Sequence, residues 1–378
     1  MGIKHFLTGA AAALVLPSLW ANPQADQKLF RETIKNVDSG GSYLNYQNNR
    51  SINQFLDQAP SLIATMLHSV IPYQESFEVC RILFKVINAQ AMQATAISIA
   101  HPQADQTVIK STVYLGDNFN SPGIHRLFGT GNALSCNFDK LPNDTRIYTT
   151  FTIRLGDMAK QLEEEMRNST VPKIRELPAK LAASAGIDIT RLAATFNGKV
   201  TLIVCGTNLR NGAALLYLPD ANGSLTQLLK AQLPQPDANG VVYFRKLEIP
   251  EYPTFKPFIM YREGGVIFST GNRAINSKGA FAKFKQLVPA KADSYFICDL
   301  DETAINELKQ ALKGESEVLE FVKLLKPFTI TGATFSDGKS ISGICICNFN
   351  VGKTLLELPG KLLDTVINIT SMEKKKVK

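Results

Sequence analysis

The stretch "SYFICDLDETAINEL", residues 294–308, decides the fold. It opens with aromatic and β-prone residues, and a helical spacing of apolar residues follows from Asp301 onward. An Asp side chain at this junction can accept a hydrogen bond from an unpaired backbone N–H of the first helical turn. The stretch therefore predicts a strand that passes into a helix capped by Asp301.

The same pattern occurs twice more, as "YTTFTIRLGDMAKQL" at 148–162 and "SYLNYQNNRSINQFL" at 42–56. Three apolar positions agree at one offset between the two later copies: Phe151, Leu155 and Ala159 match Phe296, Leu300 and Ala304. We predict N-caps at Asp157 and Ser51 by analogy with Asp301. Recurrence at this distance indicates a building block that is used two or three times.

Pairs of β-prone segments follow each copy, which indicates hairpins. "FTITGATFS" and "KSISGICIC" are joined by Asp337-Gly338, and an earlier pair is joined by a loop containing Asn211-Gly212. These dipeptides supply the positive φ that tight hairpin turns need. We predict an α+β protein whose antiparallel sheets carry helices on one face, built from two to three repeat units at 22–144, 145–292 and 293–378. The third unit is shortened and ends in an amphipathic helix and a basic tail, and the strand order is left open.

Two amphipathic helices are predicted within the first unit. Their apolar positions have helical spacing: Leu62, Ile63, Met66 and Leu67, then Val79, Leu83, Val86 and Ile87. His68 follows directly in this apolar context, so we expect it to occupy a packed helix position.

The first residues resemble an export signal. Lys4 precedes an apolar run at 6–21, and Ala21 offers a small residue for cleavage. We predict a signal peptide at 1–21 and an extracytoplasmic mature chain, periplasmic or secreted. A retained N-terminal anchor is the alternative. No later apolar run reaches the length of a membrane span, so no transmembrane helix is expected in the mature chain.

The charge is basic but spread out, with a net charge of +8. Its one tight cluster is "EKKKVK" at 373–378, which is typical of a solvated tail. An anionic surface such as lipid headgroups is an alternative partner for this tail. The charge is not striped and no nucleic-acid-binding motif is present, so nucleic acid is not expected as a partner.

The pattern "SY…DL…L" resembles uncharacterised exported bacterial proteins that repeat a strand–helix–hairpin unit. Ser294, Tyr295, Asp299, Leu300 and Leu308 keep this pattern best. The resemblance implies an exported location and a repeated build, and it implies nothing about an activity because these proteins have none established.

Two similar loops, "FGTGN" at 128–132 and "FSTGN" at 268–272, are candidates for phosphate binding. Neither completes a dinucleotide fingerprint, because Leu134 and Ser269 stand where glycines are required. We interpret both loops as hinges in which a Gly turns the chain and Asn132 or Asn272 caps the next helix.

Candidate catalytic and metal-ligating residues lack a decisive pattern. The acids of "CDLDE" could bind a cation or act as an acid–base pair: Asp299, Asp301 and Glu302. Structural roles explain them as well, because Asp299 is at a strand end and Asp301 is at a helix cap. The run of three Glu at 163–165 is typical of a solvated helix face. The histidines that remain after cleavage share no ligand spacing: His68, His101 and His125. No hydrolase motif is present, so we assign no catalytic, cofactor-binding or metal residue.

Six cysteines remain after cleavage: Cys80, Cys136, Cys205, Cys298, Cys345 and Cys347. Export permits disulfides, but the irregular spacing favours buried thiols. Cys345 and Cys347 alternate with Ile and are predicted to share one sheet face. Cys298 on an adjacent strand, or Cys80 with Cys136, remain the alternative pairings.

The leading functional hypothesis is a non-enzymatic exported binding or structural protein of the cell envelope, whose unknown partner is an envelope protein or a lipid. Two alternatives stay open, a carrier of a lipid or other apolar ligand and a hydrolase with an unrecognised site.

Overall fold

Twelve strands form one antiparallel sheet in the computed structural model, which describes residues 23–127, 144–185, 189–206, 212–248, 255–271, 292–311, 326–351 and 353. The strands are β1 Tyr43–Asn48, β2 Ala94–Gln103, β3 Gln106–Tyr114, β4 Thr145–Ile153, β5 Gly198–Cys205, β6 Ala213–Pro219, β7 Val241–Tyr243, β8 Phe258–Arg262, β9 Gly265–Ser269, β10 Ser294–Leu300, β11 Phe328–Ser336 and β12 Ser340–Cys347. Their order is β1-β2-β3-β12-β11-β10-β4-β5-β6-β9-β8-β7.

Nine α-helices accompany the sheet within the described ranges. They are α1 Pro23–Ile34, α2 Arg50–Leu67, α3 Tyr73–Ile87, α4 Leu155–Arg167, α5 Pro172–Arg175, α6 Leu177–Ala185, α7 Ile189–Thr195, α8 Ser224–Gln232 and α9 Glu302–Ala311. An antiparallel sheet with separate helices is an α+β fold, which confirms the predicted fold class.

The C-terminal strands lie in the middle of the sheet. β12 pairs with β3, and β10 pairs with β4, so β10–β12 connect the N-terminal strands to β4–β9. β1 and β7 are the two edge strands. No local pattern in the sequence predicts these two long-range pairings.

The predicted β11–β12 hairpin is confirmed. Gly338 has φ +87°, which a side-chain-bearing residue adopts only with strain. The Asp337 carboxylate accepts hydrogen bonds from the backbone N–H groups of Lys339 (2.9 Å) and Ser340 (2.7 Å). Asn211 of the other predicted turn lies outside the described residues.

Of the three helix caps predicted for the repeated strand–helix stretch, only the one at Asp301 is confirmed. The Asp301 carboxylate accepts the backbone N–H of Ala304 at 2.7 Å. α4 begins at Leu155, so Asp157 lies inside its first turn, and Asn197 accepts the Gly156 N–H instead. Ser51 likewise lies inside α2, which begins at Arg50.

The main core lies on the sheet face that carries Tyr295. Its buried members are Tyr148, Ile203, Cys205, Ala292, Tyr295, Ile297 and Ala333. α1 lies against this face. The Asp38 backbone N–H, which follows α1, donates to the Ser98 hydroxyl (2.9 Å). Ser98 is on the same face as Tyr295, because successive directly paired residues on β2, β3, β12, β11 and β10 connect the two. α8 packs through Leu225 on Ile259 and Val266, which point the other way. α1 and α8 thus cover opposite faces, which differs from the single-face packing that we expected.

Candidate functional site

α2 and α3 form a helical hairpin that starts at an edge of the sheet. α2 follows edge strand β1, and its 18 residues extend over about 27 Å at 1.5 Å per residue. The backbone at Asn49 donates to the Gln93 carbonyl (2.9 Å), and the Asn53 amide donates to the Gln90 carbonyl (3.2 Å). The base of the hairpin is therefore tied to the sheet.

The base also packs against the neighbouring helices. Ile82 and Val86 of α3 are buried with Ile174 of α5. Partly buried residues from α4 and the loop before α5 surround them: Met158, Leu162, Met166 and Val171. This cluster stabilises the sheet-proximal half of α3 and does not include the turn between the two helices.

A buried carboxylate strengthens the same attachment. Glu78 accepts two hydrogen bonds from the Arg81 guanidinium (2.7 and 2.8 Å) and one from the Ser169 hydroxyl (2.7 Å). The bonds from Arg81 lower the pKa of Glu78, Ser169 adds to the effect, and burial opposes it. Because Ser169 precedes α5, this contact links α3 to the α4–α5 connection.

α2 buries small residues and exposes several of its large apolar ones. Ala59, Pro60 and Ala64 are buried, whereas Leu62 and Met66 are exposed. Phe55 is also exposed and continues the stripe of Leu62 and Met66 at spacings of seven and four, which lie on one side of a helix. Such a helix has apolar surface that its own fold does not use.

The turn of the hairpin continues this apolar surface. Residues 65–74 are all exposed, and Val70 is the most exposed large apolar residue of the described chain at 82%. Met66 is 65% exposed, and Leu67, Ile71 and Tyr73 are exposed beside it. We call Leu62, Met66, Leu67, Val70, Ile71 and Tyr73 the hairpin tip.

The hairpin tip carries no formal charge at neutral pH. Residues 58–74 contain no Lys, Arg, Asp or Glu. Asp57 and Glu75 mark the two ends of this stretch, and Glu75 is paired with Lys173 of α5 at 2.6 Å. An exposed apolar tip that is flanked by charged residues is suited to bind another apolar surface.

The backbone of the turn has few free donors. The N–H groups of Val70 and Ile71 both donate to the Leu67 carbonyl (2.9 and 3.0 Å). Pro72 has no N–H, and its carbonyl accepts from Glu75 and Ser76 at 3.0 Å each. The N–H groups of Val70 and Ile71, which an apolar environment would otherwise penalise, are therefore satisfied inside the turn.

A second apolar surface crosses the sheet on the face opposite Tyr295. Phe296 is 41% exposed, and its cross-strand row includes partly buried Thr149 and Leu202 on one side and Gly332 and Cys345 on the other. The row continues through Ile99 of β2 to Tyr43 of edge strand β1, and Ile97, two residues before Ile99, is exposed as well. The middle of this face is thus less covered than the core face.

The acids of "CDLDE" take structural roles. Asp301 caps α9 and also accepts a hydrogen bond from the buried Arg146 guanidinium at 2.8 Å. Asp299 is buried and accepts the Thr329 hydroxyl at 2.6 Å. Glu302 is exposed in the first turn of α9. These contacts fix β4, β10, β11 and α9 to one another.

The three histidines lie on separate elements and contact carbonyl or hydroxyl oxygens. His68 is exposed at the end of α2, with Nδ1 2.6 Å from the Thr65 carbonyl, so the expectation of a packed position was wrong. His101 lies beside Gln106 and Thr107 at the end of β2. His125 is buried with Nε2 3.3 Å from the Phe119 carbonyl, and burial lowers its pKa. Among the described residues, the hydrogen-bond partners of these three histidine side chains are carbonyl and hydroxyl oxygens and not carboxylates.

The second "TGN" loop continues a strand end. Thr270 exchanges hydrogen bonds with Ala214 (2.8 and 3.0 Å), and the Ser269 hydroxyl donates to the Gly271 carbonyl (2.9 Å). Asn272 and the whole first loop lie outside the described residues. The described part extends the β6–β9 pairing by Thr270.

The five cysteines of the described ranges are free thiols. Cys80, Cys205 and Cys347 are buried, while Cys298 and Cys345 are partly buried. Cys345 and Cys347 share a face as predicted, with their sulfurs 4.0 Å apart. Cys298 does not lie on an adjacent strand, because β11 separates β10 from β12. Cys136 lies outside the described residues.

No protein-family model, curated protein or solved structure matches this chain, so the hairpin is interpreted from its own geometry. Within the described ranges, no helix combines the length and the apolar character needed to cross a bilayer. In the same part of the chain, no group of three His, Cys, Asp or Glu side chains is placed to hold a metal ion.

Sequence reasoning assigned no site residue and so missed the hairpin tip. Leu62, Met66 and Leu67 were predicted to lie in an amphipathic helix, but the helical spacing does not indicate which side of that helix the rest of the protein covers. A usable signal was present, because the uncharged stretch at 58–74 continues through a turn marked by Pro72. Turns in soluble domains usually carry polar residues, so an apolar turn indicates a contact outside the fold.

Proposed function

We propose that this chain is an exported, non-enzymatic binding protein of the cell envelope and that the hairpin tip is its binding element. One observation carries the proposal: residues 65–74 are all exposed, include five large apolar side chains and contain no formal charge. Soluble proteins rarely leave such a patch open without a partner. The export-like residues 1–21 support the location.

The build of the sheet supports three related units. The strands of each expected unit are neighbours, as β1–β3, β4–β9 and β10–β12. In each unit the first strand pairs with the next strand after its helices, as in β1–β2, β4–β5 and β10–β11. We take this common strand–helix–hairpin order as support for the repeat and for the resemblance to repeated exported proteins.

Cell fractionation tests the proposed function. We define the tip variant as Met66→Gln with Val70→Ser, which makes the hairpin tip polar while Gln retains helix propensity. The matched control is Leu247→Ser, because Leu247 is 59% exposed and follows β7 at the opposite edge of the sheet. The tip variant should leave the envelope pellet for the soluble fraction and the control should not. Equal envelope retention of the tip variant and the wild type would reject the proposal.

A carrier of an apolar ligand is the second candidate, and the partly open row around Phe296 favours it. Phe296→Asp places a charge in the middle of this row, where an apolar ligand would lie. Mass spectrometry of solvent extracts should then find a lipid with the wild-type protein and less of it with Phe296→Asp. An extract without lipid from the wild-type protein would reject this candidate.

A further inference from the structure

We infer that the hairpin tip binds by inserting into the interface of a lipid membrane, an inference that rests on the proposed function and specifies its partner. The first support is the distribution of exposure along the hairpin. The two most exposed large apolar side chains of the described residues, Val70 at 82% and Met66 at 65%, both lie at the turn end of the hairpin. Exposed apolar side chains at the end of a hairpin suit insertion to a limited depth.

Charge gives the second support. The hairpin tip would enter the membrane without carrying a formal charge, and the Glu75–Lys173 pair would remain at the headgroup level. Tyr73 stands next to this border, and its hydroxyl lies 3.1 Å from the Ser61 hydroxyl. Aromatic residues with a polar end are favoured at that depth of a bilayer.

The backbone gives the third support, because part of it is already prepared for an environment without water. Lipid offers few hydrogen bonds, so inserted backbone groups must be satisfied within the protein. The Val70 and Ile71 N–H groups are already bonded to the Leu67 carbonyl, and Pro72 has no N–H. These three positions of the turn can therefore enter lipid without an unpaired backbone N–H.

Insertion should depend on apolar contact more than on charge. The ion pairs at the border, Glu75 with Lys173 and Glu78 with Arg81, are neutral overall. Vesicles of phosphatidylcholine alone should therefore bind the protein, and added salt should change the binding little. The tip variant should reduce partition into these vesicles about 30-fold or more, because each side chain contributes a factor of roughly five to ten.

Fluorescence provides a direct test, because Trp20 is the single Trp of the chain. In a Trp20→Phe background, Val70→Trp reports on the turn and Leu247→Trp serves as the matched control. With phosphatidylcholine vesicles, Val70→Trp emission should shift to the blue and be quenched by brominated lipid. Leu247→Trp emission should change little.

Three outcomes would overturn the inference. The first is no blue shift of Val70→Trp with any vesicle. The second is binding that needs anionic lipid and disappears at high salt, which would indicate adsorption through the Lys-rich end. The third is equal partition of the tip variant and the wild type. If vesicles fail while fractionation still depends on the tip, the proposed function stands and its partner is a protein.

Discussion

The tip variant should cost the fold little free energy of unfolding, because its side chains are not part of the core. Val70 is 82% exposed, so less than a fifth of it is removed from water in the folded chain. Full burial of such a side chain contributes about 1.5–3 kcal/mol, so Val70→Ser should cost about 0.5 kcal/mol or less. Met66 is about one-third buried by the same measure, and the pair should cost about 1 kcal/mol.

A substitution in the core of the same hairpin gives a reference value for the loss of free energy of unfolding. Ile82 is 1% exposed and packs on Val86 and Ile174, so Ile82→Ala should cost about 3 kcal/mol through lost burial and a cavity. Urea unfolding followed by circular dichroism gives the midpoints, which are compared at constant slope. If the tip variant were as destabilising as Ile82→Ala, the hairpin tip would be packed within the fold, and its assignment as a docking surface would be wrong.

Two further predictions concern the contacts that hold the fold. Asp301→Asn keeps the α9 cap but removes the charge that faces buried Arg146, and it should cost about 2 kcal/mol. Asp301→Ala should cost about 1 kcal/mol more, and equal urea midpoints for the two variants would show that the cap contributes nothing. Glu78→Gln should be less stable than the wild type at neutral pH, and the gap should narrow as the pH falls below the ordinary Glu value of 4.5. The sign follows because the pKa of Glu78 is lower in the folded chain, so ionised Glu78 stabilises the fold above pH 4.5 and this contribution is lost when Glu78 is protonated. A difference in free energy of unfolding that stayed constant down to pH 3 would contradict this reasoning.

Local features of the fold were predicted because neighbouring residues determine them. The Asp337-Gly338 turn and the Asp301 cap depend on a few consecutive residues, and both were predicted. The caps at Ser51 and Asp157 failed, because Asn48 and Asn197 accept the first backbone N–H groups instead. A distant residue such as Asn197 leaves no trace in the local pattern.

Long-range arrangement was not predictable in the same way. The pairing of β3 with β12 and of β10 with β4 joins segments that are far apart in sequence. The hairpin tip was missed for a related reason. Helical periodicity identifies an apolar stripe but does not tell whether Ala64 or Met66 will face the partner helix.

The central position of β10–β12 also constrains the order in which the sheet can be completed. During synthesis β3 and β4 emerge first, and their outer backbone groups have no strand partner until residues 294–347 have been made. Two open β edges therefore persist through most of translation, when pairing with other chains is the main hazard. Premature termination before β10 would leave both of these edges without a strand partner.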